Sequence, residues 1–392
     1  MEAYLDNAAT TRAFDSVKDI MVETLSIDYG NPSSKHLKGV EAERYIRDAK
    51  DIISKRLKVE PKEIIFTSGG TESNNMALIG TALANKRSGN HIITTRIEHP
   101  SVHNPLIFLE ENGFQVTYVP VNQYGNVILE ELLNAIGEDT ILVSIMYVNN
   151  EIGSVQKIHE ISKAIKTKNP NVIFHVDAIQ AFGKYNIYPK REGIDLLSVS
   201  GHKIHGPKGI GFLYVKDKVK IKPILFGGGQ QKGMRSGTEN VPGIVGLGSA
   251  IERAIKMMPE ETKRLTALRD ELTRELLKIP ATHLNGHPTK RLPNNTNVIF
   301  EYIEGESILL FLNMKGICAS TGSACNSASL EPSHVLTAMG ISHEIAHGSI
   351  RLTVGERTTE EDVKFVIAAL TETVAKLRAM SPLTPKELKN VQ

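Results

Sequence analysis

Short, nearly continuous runs of apolar residues alternate with longer amphipathic segments between residues 60 and 225. Seven of the apolar runs predict β-strands: EIIFT, HIITT, QVTYVPV, TILVSIMYV, NVIFHV, DLLSVS and GIGFLYV. Several consist of consecutive Val, Ile, Leu and Phe rather than alternating apolar and polar residues, which is typical of strands buried on both faces. The pattern therefore predicts an α/β fold, with a mostly parallel seven-stranded sheet covered by helices.

The second half of the chain has a different organisation. After the glycine cluster FGGGQQKGMRSGTEN, residues 243–279 have helical spacing over an unusually long segment. Two further strands, NTNVIFEYI and SIRLTV, precede a final helix that Thr359 and Asp362 introduce as a capping box. Because 392 residues exceed what one hydrophobic core usually serves, we predict two domains. The large domain spans residues 13–259, and a smaller α+β domain combines residues 1–12 with 260–392.

Composition and charge exclude several classes of protein. The 46 basic and 44 acidic residues are well mixed and leave a net charge of +2, so we expect no nucleic-acid partner. No apolar run approaches the roughly 18 residues that span a bilayer, and the N-terminus lacks a signal-peptide pattern. We therefore expect a soluble cytoplasmic protein with no membrane partner. The two cysteines, Cys318 and Cys325, are too few for a disulfide framework or the usual structural zinc site.

Polar residues follow the apolar runs at the positions where open α/β sheets bind ligands. The first run is followed by SGGTESNN, which suits a phosphate but also an ordinary helix start. Later runs are followed by His99, Asn150, Asp177 with Gln180, and Lys203 within GHKIHGPKG. Taken singly, each has a structural interpretation, such as a helix cap, a buried imidazole or an exposed hairpin lysine.

The combination of these residues favours one cofactor, pyridoxal 5'-phosphate. That cofactor needs a phosphate site, a carboxylate facing its ring nitrogen, an aromatic group over the ring and a lysine amine. Asp177 can hold the ring nitrogen protonated, and His99 can cover the ring. The amine of Lys203 lies between two histidines in the sequence, and burial or neighbouring cations would keep it neutral.

The ordered motifs resemble those of the cysteine desulfurase family, which serves nitrogen fixation and iron–sulfur cluster assembly and is related to the class-V aminotransferases. The resemblance covers nearly the whole chain and rests on YLDNAATT, GNPSSKH, FTSGGTESNN, EHPSV, VNNEIG, HVDAIQ, SGHKIHGPKG, GGGQQKGMRSGTEN, GSACNSASLEPSHVL and SIRLTVG. It implies the aspartate aminotransferase-like fold of the fold-type I pyridoxal-phosphate enzymes, and a homodimer.

The resemblance also assigns roles to the residues that would contact the cofactor ring. It implies that Lys203 bonds to the cofactor as a Schiff base and later moves protons at the substrate Cα. His99 would stack on the ring and assist acid–base steps. Asp177 would pair with the ring nitrogen, and Gln180 would hydrogen-bond the ring oxygen.

Further residues are implied to bind the phosphate and the substrate. Asn150 would lie against the cofactor and the substrate, and Arg351 would bind the substrate carboxylate, for which a guanidinium is well suited. The residues implied to bind the phosphate are Gly70, Thr71, Ser200 and His202, joined by Thr238 from the other subunit.

The family resemblance gives the two cysteines different roles. It implies that Cys325 attacks the sulfur of cofactor-bound L-cysteine, leaving alanine and an enzyme persulfide that passes to an acceptor or scaffold protein. The surrounding STGSACNSAS is composed of small residues, as a flexible tether requires, and the predicted loop covers about residues 318–333. Either His99 or His334 could assist formation of the thiolate. Cys318, between Ile317 and Ala319, is predicted to be a small core residue.

Other functions remain as alternatives at this point. HEIAH contains His343, Glu344 and His347 in the pattern of zinc hydrolases, although glycines bracket it closely and a strand follows at once. We favour a short structural helix there and predict no metal. A pyridoxal-phosphate aminotransferase, a selenocysteine lyase and a non-catalytic scaffold are the other candidates. The C-terminal SPLTPKELKNVQ does not resemble the extended tail with which housekeeping members hold a scaffold protein, so the acceptor stays open.

Overall fold

The computed structural model describes residues 2–321 and 332–389, and the predicted α/β fold is confirmed. All seven predicted strands form one sheet, in the order β2-β8-β7-β6-β5-β3-β4. Their bounds are Ile64–Thr67 (β2), His91–Thr95 (β3), Gln115–Val119 (β4), Thr140–Met146 (β5), Ile173–Asp177 (β6), Leu196–Ser200 (β7) and Gly211–Val215 (β8). Only β8 is antiparallel to its neighbours in this sheet, and β2 therefore runs in the same direction as the parallel strands.

In the sequence, two helices precede the first strand of this sheet, and the others connect successive strands, as crossovers between parallel strands require. Every residue of β2 and β5 is buried, which explains their nearly continuous apolar sequences. The helices are Asp15–Ser26 (α1), Leu37–Leu57 (α2), Gly70–Asn85 (α3), Pro100–Glu111 (α4), Leu129–Ala135 (α5), Ile158–Lys168 (α6) and Pro189–Glu192 (α7).

A second group of elements forms around a three-stranded antiparallel sheet. Its strands are Thr282–Leu284 (β9), Asn295–Phe300 (β10) and Ser349–Thr353 (β12), with β10 in the centre. Its helices are Gly305–Met314 (α9), His334–Ala338 (α10), His343–Ala346 (α11), Glu360–Met380 (α12) and Lys386–Lys389 (α13). The predicted capping box of Thr359 and Asp362 starts α12.

The N-terminal residues join this second group rather than the large sheet. Strand Ala3–Tyr4 (β1) pairs in parallel with Ile317–Cys318 (β11). The backbone N–H of Thr353 donates to the carbonyl of Leu5 at 2.7 Å. The N-terminal segment therefore runs beside β12 before the chain enters the large sheet.

The predicted long helix is Val241–Leu276 (α8), and it contributes to two separate apolar cores. Near its start, Leu247 and Ile251 pack in the core beneath the seven-stranded sheet. Near its end, Leu268 and Leu272 pack with α12 and the three-stranded sheet. We therefore propose the division at residues 13–259 and 260–392, with residues 1–12 in the smaller unit, on the basis of these two cores.

The helices give no indication of a bilayer-spanning segment. Within residues 2–321 and 332–389, none of them combines the length and the apolar character needed to cross a membrane.

Candidate active site

A cavity of about 370 Å³ lies where β5, β6 and β7 end. It is lined by ten of the residues named from the sequence: Gly70, Thr71, His99, Asn150, Asp177, Gln180, Ser200, His202, Lys203 and Arg351. The parallel strands deliver several of these side chains to the same edge of the sheet. The structure thus brings together residues that are nearly 300 positions apart in the chain.

One end of the cavity is formed by the turn between β2 and α3. Gly69 has φ +150°, and a Cβ on it would meet only the Ser200 Oγ, at 3.9 Å. Gly70 starts α3, and a Cβ there would lie 2.2 Å from the Cδ1 of Ile179. Backbone and ligand can approach closely here only because both residues are glycines. The turn, the N-terminus of α3 and Thr71 together form a site suited to an anion.

His202 lies in the short 3-10 turn Gly201–Lys203 that follows β7, at the same end of the cavity. Its Nδ1 is 3.2 Å from the Oγ1 of Thr10. Burial, with smaller contributions from the charges of Lys203 and Lys208, lowers the pKa of His202 to about 4. The ring is therefore neutral at physiological pH and can contribute hydrogen bonds to an anion, but no charge.

Asp177 ends β6 and is held in a defined orientation by two donors. Asn74 Nδ2 donates to its Oδ2 at 2.8 Å, and the backbone N–H of Ile179 donates to its Oδ1 at 2.9 Å. Burial raises the pKa of the carboxyl, whereas these two hydrogen bonds and the charge of Lys203 oppose that effect. A buried carboxylate of this kind gains most from a cationic partner in the cavity.

His99 precedes α4 and caps it. Its Nδ1 accepts the backbone N–H of Ser101 at 3.1 Å and lies 2.9 Å from the Oγ of Ser101. Since Nδ1 accepts a backbone hydrogen bond, the neutral ring carries its proton on Nε2. Burial, together with the charges of Lys203, His334 and Arg351, lowers the pKa of His99 to about 4.

The amine of Lys203 contacts the N-terminal segment of the chain. Its Nζ donates to the carbonyl of Ala8, and to the carbonyl of Ala9 at 2.7 Å. Gln180 Nε2 also donates to the Ala8 carbonyl, at 3.0 Å. Lys203 is therefore not an exposed hairpin lysine, because its amine lies in the cavity beside Gln180.

Arg351 lies in the centre of β12 and closes the cavity from the side of the three-stranded sheet. One terminal nitrogen donates to the Oδ1 of Asp6 at 3.0 Å, and the other donates to the carbonyl of Asn150 at 3.1 Å. The buried Nε has no hydrogen-bond partner among the residues that the structure describes. The side chain thus combines a fixed position with unused donor capacity, as binding of a carboxylate requires.

Two buried glutamates flank the cavity. Glu98 is completely buried, and burial raises its pKa to about 8, although Thr95 and the N–H of Met146 donate to it. Burial also raises the pKa of Glu151, whose carboxylate accepts a hydrogen bond from Ser333. Ser333 caps α10, so Glu151 holds the start of that helix against the large sheet.

Several contributors to the site were missed from the sequence. Asn74 and Ser101 orient Asp177 and His99, and Asn74 Nδ2 also donates to the Ser101 Oγ at 2.9 Å. Asp6 pairs with Arg351, and Ala8 contributes only its carbonyl. Asn74 could have been suspected from the sequence, because it lies one helical turn after Thr71 on α3.

The structure leaves Thr238 and the two cysteines to be accounted for. Thr238 is exposed and does not line it. Cys325 and most of the predicted loop at 318–333 lie outside the described residues. Cys318 pairs with Tyr4 across two short strands and is partly buried.

The HEIAH segment forms the short helix α11, as we favoured. His343, Glu344 and His347 are all exposed on it. Across residues 2–321 and 332–389, no group of three or more His, Cys, Asp or Glu side chains could hold a metal ion.

The cavity residues fit pyridoxal 5'-phosphate. The glycine turn with Thr71 suits the phosphate, and Asp177 offers a buried carboxylate for a protonated ring nitrogen. Lys203 places an amine in the same cavity, and Arg351 keeps donors for a substrate carboxylate. Fold and site together define an enzyme of the pyridoxal-phosphate fold-type I class.

Comparison with known proteins places the chain within that class. Residues 3–366 match the model of the aminotransferase class-V family. The cysteine desulfurase IscS of Methanosarcina thermophila is 55% identical, with 99% of this chain and 96% of that protein covered. The cysteine desulfurase IscS of Clostridium botulinum strain Hall is 49% identical, with coverage of 99% and 98%. A solved NifS-like protein has a TM-score of 0.91 at 40% identity, with 96% of this chain and all of that chain covered.

The chain belongs to the cysteine desulfurases of the class-V aminotransferase family. This family uses pyridoxal 5'-phosphate.

Proposed function

We propose that the protein is a cysteine desulfurase that takes sulfur from L-cysteine, leaves L-alanine and delivers the sulfur to an acceptor for iron–sulfur cluster assembly. One observation carries this proposal. Lys203, Asp177, His99 and Arg351 line one cavity, in a chain whose relatives at 49–55% identity are named cysteine desulfurases.

The cofactor, when bound, supplies an electron-accepting ring that stabilises negative charge at the substrate Cα. The chain supplies the surroundings that this chemistry needs. Asp177, oriented by Asn74 and the N–H of Ile179, keeps a positive charge on the ring nitrogen favourable in a buried site. Gly70, Thr71, Ser200 and His202 hold the phosphate, and Gln180 faces the ring oxygen.

In this proposal Lys203 transfers protons at the substrate Cα, and His99 donates a hydrogen bond. The amine of Lys203 takes the proton from the substrate Cα and returns one later. His99 covers the ring and presents a neutral imidazole with its proton on Nε2, because Nδ1 is occupied by Ser101. With its pKa lowered to about 4, His99 can donate a hydrogen bond across the physiological pH range without adding charge to the cavity.

Arg351 binds the substrate carboxylate. Its contacts with Asp6 and the Asn150 carbonyl fix the guanidinium before substrate arrives, so little conformational entropy is lost on binding. Asn150 adds a polar group beside the same position. This arrangement favours α-amino acids over simple amines.

Cys325 is the proposed sulfur acceptor. Its thiolate attacks the substrate sulfur, the bond between that sulfur and Cβ breaks, and the electron pair remains on the carbon. The carbon then takes up a proton and leaves as alanine, while Cys325 carries the persulfide. Two described residues, one before Cys325 and one after it, support this role because they lie close to the site. Ser320 forms a backbone bridge with Arg351, and Ser333 donates a hydrogen bond to Glu151.

A homodimer completes the proposal. Thr238 is exposed and outside the cavity of its own chain, which agrees with a role in the phosphate site of the other subunit. An external sulfur acceptor, a scaffold protein in the proposed pathway, would take the persulfide sulfur from Cys325.

The function is tested with the holoenzyme and L-cysteine. We expect equal amounts of alanine and protein-bound persulfide in a single turnover without acceptor. Cys325→Ser should still bind L-cysteine, with the accompanying change in cofactor absorbance, and should form no persulfide. Cys318→Ser is the matched control and should behave as wild type. Persulfide or sulfide release from Cys325→Ser at the wild-type rate would contradict the nucleophile assignment, and formation of a keto acid in place of alanine would indicate an aminotransferase.

A further inference from the structure

A second lysine lies behind the active-site lysine. Lys203 lines both the active-site cavity and a smaller cavity of about 60 Å³. The smaller cavity is also lined by Lys184, in the segment between β6 and α7, and by apolar residues of α8 that include Met257 and Leu265. Two amines therefore border one small cavity, and the cofactor chemistry described above uses only one of them.

Hydrogen bonds link the two amines through the backbone of the site. The Lys184 amine donates to the carbonyl of Gln180 at 3.3 Å. The side chain of Gln180 donates to the Ala8 carbonyl, which also accepts from Lys203. Lys184 is thus held in place by the same residue that faces the cofactor.

The other ionisable groups of the small cavity do not neutralise Lys184. Glu261 is engaged by Arg264, whose Nε lies 3.0 Å from its Oε2. Glu356 lies 3.7 Å from a guanidinium nitrogen of Arg253. His205 approaches a backbone carbonyl at 2.9 Å, and burial lowers its pKa, so it is mostly uncharged at neutral pH. Among the residues that the structure describes, Lys184 therefore has no carboxylate partner in this cavity, and its amine bonds only to the Gln180 carbonyl.

The charges of Lys184 and Lys203 affect each other's pKa. Two positive charges that border one small cavity disfavour each other, and a neighbouring cation is one of the ways to keep a lysine amine neutral. Burial and the charge of Lys203 lower the pKa of Lys184 to about 8. At neutral pH, Lys184 consequently still carries its proton most of the time.

We propose that Lys184 tunes the reactive amine: its positive charge, held across the small cavity, keeps Lys203 in the neutral form that bonds to the cofactor and accepts the substrate proton. This inference rests on the role that the proposed function gives to Lys203. Lys184 acts through Lys203 and is a positioning residue, because it lines the cavity behind Lys203 and not the active-site cavity.

The test is a spectroscopic pH titration of the holoenzyme without substrate. The absorbance of the cofactor bonded to Lys203 reports protonation of the linking nitrogen. Lys184→Met removes the charge while keeping an unbranched side chain, and Lys184→Arg retains a positive charge. Lys163→Met, which removes an exposed lysine on α6, controls for net charge. Thermal unfolding and cofactor content establish that each variant is folded and loaded.

Loss of the Lys184 charge should stabilise the protonated form. We expect the midpoint in Lys184→Met to rise by about half a pH unit or more, because a neighbouring like charge in a partly buried site is lost. Lys184→Arg and Lys163→Met should leave it within about 0.2 units, a shift too small for a lost buried charge. An unchanged midpoint in Lys184→Met, or an equal rise in Lys184→Arg, would overturn the proposal.

A second measurement covers a variant that folds without taking up cofactor. Competitive labelling of the apoprotein with acetic anhydride reports the pH at which Lys203 becomes reactive, and the same direction of change is expected. If wild type develops no absorbance from a lysine-bonded cofactor, the proposed function fails and this inference fails with it. If wild type shows this absorbance but Lys184→Met has the same midpoint, the inference about Lys184 fails and the proposed function stands.

Discussion

Replacement of Arg351 tests the substrate-binding assignment most directly. The guanidinium is nearly buried, with 6% of its side chain exposed, and two of its five N–H donors contact Asp6 and Asn150. The remaining donors can form two charge-assisted hydrogen bonds to a substrate carboxylate, each worth about 1.5 kcal/mol or more. Loss of about 3 kcal/mol corresponds to roughly a 100-fold fall in kcat/KM for L-cysteine in Arg351→Gln.

The split between kcat and KM makes this prediction specific. The carboxylate is bound equally in the ground state and the transition state, so most of the loss should appear in KM. Arg351→Lys keeps a charge but loses the planar fork, and an intermediate loss of about 10-fold is expected. In Arg351→Gln, the carboxylate of Asp6 loses its arginine partner. The double variant Asp6→Asn, Arg351→Gln removes that carboxylate as well. It should fold at least as stably as Arg351→Gln.

Cysteamine, which is L-cysteine without the carboxylate, provides the decisive control. Its binding, followed by the cofactor absorbance, should differ by less than about 3-fold between wild type and Arg351→Gln, because no carboxylate contact is lost. An equal loss for cysteamine and L-cysteine would refute the carboxylate assignment and would indicate a role in cofactor binding or folding. Unchanged binding of L-cysteine in Arg351→Gln would refute it as well.

Two further predictions concern the buried acid and the glycine turn. The pKa of Glu98 is about 8 in the folded protein against 4.5 ordinarily, so the folded state holds a proton that the unfolded state has released above pH 4.5. Stability should therefore fall as pH rises from about 4.5 to 8, by up to about 5 kcal/mol from this group. Glu98→Gln, which mimics the protonated acid, should flatten that slope in urea unfolding measured at several pH values; an unchanged slope would contradict the burial argument. Gly70→Ala places a Cβ 2.2 Å from the Cδ1 of Ile179. Apoprotein titrated with pyridoxal phosphate should show at least a 10-fold weaker affinity, whereas Gly113→Ala, at a turn with open space, should lose stability and leave cofactor affinity unchanged.

The strands of the large sheet could be predicted because their burial is encoded locally. A strand covered on both faces is mostly apolar, and IIFT and TILVSIM show this without any knowledge of their neighbours. The strand order could not be predicted in the same way. Strand β8 enters antiparallel between β2 and β7, which depends on packing between segments about 150 residues apart.

The same distinction between local and long-range information applies to the residues of the candidate site. His99, Asp177 and Lys203 lie at strand ends or within four residues after them, so the rule that ligands bind at strand ends was sufficient to find them. Asn74 and Asp6 act on side chains distant in sequence; Asn74 has only its position one helical turn after Thr71 as a local signal, and nothing local distinguishes Asp6 from an ordinary loop residue. Their importance follows only from the hydrogen bonds that the fold creates.

The long-range contacts of the N-terminal segment have a consequence for how the enzyme folds. The carbonyl of Ala8 binds a lysine 195 positions later in the chain, Asp6 binds an arginine 345 positions later, and Asn7 bonds to the backbone of Thr353, 346 positions later. Residues 6–8 therefore reach their native contacts only when segments 195 to 346 positions later in the chain are in place, and contacts over such separations form slowly. We expect this wall of the cavity to be among the last parts of the site to form during folding.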